Sequence, residues 1–389
     1  MQFSVKKYLL YSSVFAIFTE AFFFNFIIDW KLLYLIIIVN YFILAQTQKI
    51  RLNNFFLFLI GALFIHGLIV NTLIGVPPNY MIAQLIGISI ISIYYYNFIP
   101  LYDKNDIIAV YVKLSLYAAI IGYVFYFLNI NLNDGRLQSI FKEPAHYVIV
   151  VIPACFYFLK QKNYIAFATI FGTLILSNSS LGYIGCALMF IIPNLNLKRL
   201  AYFAASVPVI LATFYYVYTE YPFFQLRVND TYESLNSVNT GKFNEYTNLS
   251  SYALLSNIFV AKENIKDHPF GSGIGSHVYM HRSVYSKEMR PPEYLIKQNL
   301  EKINSNDANS LFTRMMSELG ILGFIAVILF LIKTLPVFND KRFILSQGIF
   351  IYFLLKLFRD GHYFPPELFF FVWFFYFDFF RAEKNAASE

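Results

Sequence analysis

The chain has 389 residues, of which 58% are hydrophobic, 20% aromatic and only 14% charged, with a formal net charge of +7. A soluble core of this size would alternate more strictly with polar faces, so the composition excludes an ordinary soluble domain. Nor is the positive charge a nucleic-acid footprint, because no dense basic patch is interleaved with aromatic residues.

Crossing the hydrocarbon core takes about 20 apolar residues, and stretches near that length recur along the chain. The expected spans are 8–28, 32–46, 55–75, 80–98, 106–128, 144–160, 163–177, 180–193, 199–218, 309–333, 343–358 and 364–380. The expected fold is therefore all-α: a polytopic transmembrane helix bundle of about twelve spans. The first span lacks a small-residue cleavage site and reads as a retained helix. Cys155 and Cys186 both lie in apolar stretches, which gives neither a disulfide framework nor a zinc site.

One polar interruption, residues 219–308, divides the bundle into 1–218 (about nine spans) and 309–389 (about three). It holds 10 of the 23 acidic residues, 9 of the 30 basic ones and three of the six histidines. Lys and Arg near span ends are held on the cytoplasmic side. With the N-terminus inside, fourteen fall in inside connections, from Lys6 to Lys384, against Lys31, Arg136, Lys142 and Arg359 in the opposite short loops. Both termini are expected in the cytoplasm, with 219–308 as a large, partly helical external loop. Its best helical piece is Tyr252 to Val260. Its opening half, Arg227 to Asn248, is expected to be extended or mobile.

Ionisable groups at membrane depth are costly unless paired or facing water, so each is a functional candidate. On the outer side they gather in three places: Asp134, Arg136, Lys142, Glu143 and His146; Arg314 and Glu318; and Arg359, Asp360, His362 and Glu367. Arginine forks onto phosphate oxygens as lysine cannot, so Arg136, Arg314 and Arg359 could converge on one pyrophosphate. The spacing equally allows membrane anchors or ion pairs, and Arg314 with Glu318 at i,i+4 would pair along one helix face. Glu143-Pro144 opens a helix, where proline needs no N–H and a carboxylate meets the positive helix end. Glu20, His66 and Lys113 stand isolated and read as satisfied interior polar groups.

In the loop, HPFGSGIGSH (268–277) gives a turn-rich backbone able to approach a ligand closely. It lacks the spacing and the strand–turn–helix setting of a dinucleotide site. His277 and His281 are four residues apart, but no third ligand stands at a recognisable distance, so no metal site is expected. A histidine would serve better as a general base toward a sugar hydroxyl.

Four segments carry a family resemblance. GRLQSIFKEPAHY (135–147) resembles the R-x-x-x-x-F-x-E-P signature of the O-antigen polymerase and O-antigen ligase superfamily of bacterial envelope glycan assembly. SNSSLGYIG (177–185) is similar to its serine-glycine turn, without the arginine often found after the serine. HPFGSGIG (268–275) is similar to its N-P-hydrophobic-G-x-G segment, and NSLFTRMMSELGILG (309–323) resembles its post-loop helix. The ligases commonly place a histidine before the asparagine that opens that helix, as a proposed base. Here Ala308 precedes Asn309, which turns the resemblance toward a polymerase.

The resemblance implies an inner-membrane glycosyltransferase, without cofactor or metal, that joins repeat units carried outside the membrane on undecaprenyl pyrophosphate. The lipid-linked glycans, as donor and acceptor, and membrane lipid would be its partners, and a chain-length regulator could bind. Arg136, Arg314 and Arg359 would hold the pyrophosphate, with Asn309 and Glu318 lining the site. The base remains open among His281, His277, His362 and Glu143. The alternatives are a ligase moving finished polymer onto lipid A core and a transporter, although the matching halves expected of many transporters are not seen.

Overall fold

The computed structural model describes residues 4–26, 28–130, 135–194, 208, 211–212, 214–216, 218–220 and 222–382. It is helical apart from one short antiparallel hairpin, β1 (Phe23–Phe26) and β2 (Ile28–Lys31). Among the described residues, eight α-helices precede the polar region: α1 (Val5–Ala16), α2 (Leu32–Thr47), α3 (Asn54–Ile74), α4 (Pro78–Phe98), α5 (Lys104–Phe127), α6 (Pro144–Lys160), α7 (Tyr164–Leu176) and α8 (Ser180–Ile191). The polar region contributes α9 (Pro222–Ser234) and α10 (Leu249–Asp267), and the C-terminal part α11 (Leu311–Thr334), α12 (Ile344–Phe358) and α13 (Pro366–Phe375).

Among the described residues, four segments are long and apolar enough to cross a membrane: Asn54–Ile74, Pro78–Leu101, Lys104–Phe127 and Leu311–Asn339. Leu32–Thr47, Pro144–Lys160, Tyr164–Leu176 and Ser180–Asn194 are apolar but shorter. The chain is a membrane protein on these grounds. The expected first span, 8–28, is not one helix: α1 stops at Ala16 and the chain turns into the hairpin. Most of the expected span 199–218 lies outside the described residues.

At the centre, α6 packs between α12 and α8. Gly348 of α12 sits where a Cβ would meet the Pro153 carbonyl at 2.8 Å, and Gly185 of α8 lies against the Ile152 side chain. Small residues let helix backbones approach closely where lipid offers no hydrophobic drive for association. Cys155 and Cys186 are buried, free thiols in this packing.

The opening half of the polar region, expected to be extended or mobile, is helical over Pro222–Ser234 and Ser237–Thr240. Ser234, at the end of α9, is buried with its hydroxyl 3.1 Å from that of Thr247. The helical piece expected over 252–260 extends to all of α10, whose start is fixed by Asn248 accepting from the Ser251 N–H at 3.0 Å.

Helix α11 is broken. Gly320 adopts φ 56°, ψ −134°, and the break frees backbone groups that the HPFGSGIGSH segment then pairs. The N–H groups of Ser272 and Gly273 donate to the carbonyls of Ser317 and Glu318 at 3.2 and 2.9 Å, and Ile321 N–H donates to the Pro269 carbonyl at 2.9 Å. The approach is so close that a Cβ on Gly271 would lie 2.3 Å from the Glu318 carbonyl, and one on Gly320 2.1 Å from that of Pro269. The glycines do serve close backbone approach, but toward a broken helix of the same chain.

Candidate active site

Several helix beginnings meet at one cleft of about 260 Å³. Its walls come from the turn after α1 (Ile17, Glu20), the start of α2 (Lys31, Leu33, Tyr34), the start of α6 (Phe141 to His146), the approach to α11 (Asn304 to Asn309) and the connection from α12 to α13 (Arg359 to Glu367). A helix N-terminus presents unpaired N–H groups and a partial positive charge, which favours anions. Pro144 and Pro366 occupy the first helical positions of α6 and α13, where no N–H is wasted.

The expected site residues divide into two groups. Glu143, Asn309, Arg359 and His362 line the cleft. Arg136, Arg314, Glu318, His277 and His281 do not; of the three arginines expected to converge, Arg359 alone lines this cleft.

Arg314 is 2% exposed. Its Nε donates to Glu318 Oε1 at 3.0 Å, its Nη1 donates to the Gly361 carbonyl at 2.9 Å, and its guanidinium lies 4.1 Å from the centre of the Tyr363 ring. The i,i+4 pairing anticipated for Arg314 and Glu318 is thus present. Glu318 is fully buried, and its carboxylate also accepts from the N–H groups of Gly275 at 2.8 Å and His277 at 3.3 Å. The anion held by the glycine-rich segment is therefore the protein's own carboxylate. Through Gly361 and Tyr363, Arg314 also fixes the connection that forms one wall of the cleft.

His277 and His281 do share a face, with ring centres 6.2 Å apart, but each is 1% exposed. His277 Nε2 lies 2.9 Å from Asn257 Oδ1, while both ring nitrogens of His281 lack a partner among the described residues. Burial, reinforced by Arg282, lowers the His281 pKa to about 4, and burial drives that of His277 well below the usual range. Both are neutral and enclosed, and neither lines the cleft.

Within the cleft, Asp307, Asp360 and His362 form a compact trio whose ligand atoms lie within 4.8 Å of one another. His362 Nδ1 is 2.9 Å from Asp360 Oδ1 and 3.5 Å from Asp307 Oδ2, and the buried Lys356 ammonium pairs with the other Asp360 oxygen. Asp307 also accepts from the N–H groups of Asn309 and Gly361, each at 3.3 Å. A Cβ at Gly361 would lie 1.8 Å from the Asp307 carbonyl, so only glycine lets the two segments meet. Burial opposes charge on His362, but its bonds to Asp307 and Asp360 prevail and raise its pKa to about 9. The Asp360 carboxyl is held well below its usual range, against burial, by Lys356 and His362. The trio could hold a divalent ion by geometry. With His362 protonated and Lys356 attached, however, two negative charges already meet two positive ones.

Glu143 occupies the cap position of α6, yet its side chain makes no capping bond. It is exposed at the cleft, its side chain makes no hydrogen bond among the described residues, and its charge acts on nearby His146. The nearby His146 Nδ1 lies 2.8 Å from both carboxylate oxygens of Glu20, which Lys31 approaches at 3.4 Å. Glu20 is therefore not an isolated interior group. Asp307 was missed in the sequence because its partners lie more than fifty positions away; the only local signal is its place two residues before Asn309.

Residues 165–328 match the family model described as O-antigen ligase. The members of that family are membrane glycosyltransferase-like enzymes of polymerase and ligase type. No match was found among curated proteins or among solved structures. The matched region runs from α7 through the glycine-rich segment to beyond the break in α11, and so includes Asp307 and Asn309 of the cleft. Over residues 165–328 the chain is thus similar to the O-antigen ligase family, a match that supports the resemblance to the O-antigen polymerase and ligase superfamily.

Proposed function

We propose that the protein is a polymerase that joins oligosaccharide repeat units carried on undecaprenyl pyrophosphate, at the periplasmic face of the inner membrane. The observation that carries this reading is the cleft, where the beginnings of α6, α11 and α13 meet Lys31, Lys142, Arg359 and His362. Helix N-termini together with fixed cations suit a pyrophosphate. Charge grows on that group as the glycosidic carbon leaves it, and preorganised donors are worth most against such developing charge.

In this scheme Arg359 and Lys142 hold the donor's pyrophosphate, and His362, kept cationic by Asp307 and Asp360, adds a donor on the same side. Glu143 takes the proton from the acceptor hydroxyl. The acceptor oxygen bonds to the donor's anomeric carbon, the bond from that carbon to the pyrophosphate oxygen breaks, and the prenyl pyrophosphate departs with the electron pair. His362 is a poorer base at neutral pH because it already carries its proton. Arg314 and Glu318 are positioning residues behind the wall, and neither touches substrate.

The ligase reading draws on the description of the matched family, whereas Ala308, standing where ligases commonly carry histidine, favours the polymerase. Purified lipid-linked repeat unit, supplied as the sole substrate, separates them. A polymerase yields a ladder of lengthened products; an unchanged substrate refutes the proposal.

A further inference from the structure

We propose that the end of the bundle opposite the cleft carries a binding site for the headgroup of an anionic phospholipid. Helix α13 starts at the cleft with Pro366 and Glu367, and Arg381 lies fifteen positions beyond Pro366, roughly 22 Å along a helix at 1.5 Å per residue. Helix α2 likewise begins at the cleft, and Gln48, just past its end, lies at the far side.

Two adjoining cavities of about 420 and 340 Å³ share Pro100, Phe377 and Arg381 there. The larger is lined by Arg51 and Arg381 and by no carboxylate. The only acid of the smaller, Asp378, is already engaged by Lys104 at 3.1 Å and by the Ser346 hydroxyl at 2.8 Å. Two arginines thus line one cavity, and neither has an acidic partner among the described residues.

The site is built rather than fortuitous. Asn97 is 3% exposed; its Oδ1 accepts from the Arg51 N–H at 2.7 Å and its Nδ2 donates to the Arg51 carbonyl at 2.9 Å. The Arg51 main chain is therefore pinned while its side chain stays available. The remaining wall is aromatic, with Tyr96 and Phe377 stacked at 5.6 Å between centroids. Guanidinium pairs fork onto phosphate oxygens, and basic pockets at the ends of membrane helices take anionic lipid heads. The apolar wall favours a lipid over a free phosphate ion, and the uncompensated positive charge disfavours a zwitterionic head.

The test is independent of the reaction assigned to the cleft. The full chain, purified in detergent, is mixed with phosphatidylglycerol or phosphatidylethanolamine, and bound lipid is counted by native mass spectrometry. Phosphatidylglycerol should be retained preferentially, and the Arg51→Ala/Arg381→Ala pair should weaken its retention roughly thirty-fold. Because the Asn97 clamp holds main chain only, the lipid-free melting temperature of the variant should stay at the wild-type value. If it falls, the Arg51→Gln/Arg381→Gln pair, closer in size and still uncharged, replaces it. Equal retention of the two lipids, unchanged retention by a well-folded variant, or displacement of the lipid by millimolar inorganic phosphate would each overturn the proposal.

Discussion

Replacing Arg314 with alanine separates a substrate-binding arginine from one that holds the architecture. The side chain is 3% exposed and makes an ion pair with Glu318, a hydrogen bond to the Gly361 carbonyl and a cation–π contact with Tyr363. Removing one member of a buried pair costs about 3–5 kcal/mol, mostly because the other charge stays behind unpaired. Glu318 would keep the N–H groups of Gly275 and His277, which places the expected loss toward the lower end of that range. The desolvated contact with Tyr363, worth about 2 kcal/mol, pulls it upward again. Thermal unfolding in detergent, followed by intrinsic fluorescence, should therefore show a clear drop in midpoint for Arg314→Ala. The Arg314→Met/Glu318→Gln double variant should recover most of it, since removing both charges together leaves nothing buried and uncompensated. An Arg314→Ala protein that melts like wild type but makes no polymer would refute the reasoning and return Arg314 to the substrate.

Four further outcomes follow from the site. Glu143→Gln should abolish chain lengthening while donor binding, measured with a fluorescent prenyl pyrophosphate, stays within about twofold. His281→Leu should keep wild-type lengthening, because the ring is enclosed and its two nitrogens bond to nothing among the described residues; loss of activity with intact folding would restore it as the base. For His362 the folded pKa of about 9 lies above the usual 6.5, so the stability it contributes is complete below 6.5 and disappears as pH rises through 9, while its charge in the folded protein is lost as pH passes about 9. Donor binding should weaken over that window in the wild type and not in His362→Ala. For His281, and for His277 with it, the folded pKa lies below the usual value, so stability is full above 6.5 and falls as pH drops toward 4. An acid titration of the melting temperature should show this decline, and His281→Leu should reduce it.

How much of this could be read from the sequence depended on the range over which residues interact. Helix α6 runs from Pro144 to Lys160 as the expected span does, because Pro144 starts it and hydropathy is a local property. The Arg314–Glu318 pair was legible for the same reason, lying on one face of one helix. The first span was overdrawn because the aromatic run after Phe22 is apolar enough for a membrane helix but pairs as a hairpin. The glycine-rich segment announced close backbone approach, yet nothing local could say that a broken helix and the Glu318 carboxylate were its partners. The enclosure of His277 and His281 was hidden for a similar reason, since residues far along the chain, such as Asn257, surround them. Asp307, Asp360 and Glu20 acquire meaning only when the beginnings of α6, α11 and α13 come together.

A structure of the protein with a bound prenyl pyrophosphate tests the central claim most directly. The diphosphate should lie between Arg359 and Lys142 at the start of α6, with Glu143 facing the neighbouring sugar and Arg314 still paired with Glu318. A diphosphate seated on Arg314 or Arg136, with the cleft between α6 and α13 left empty, would contradict the account.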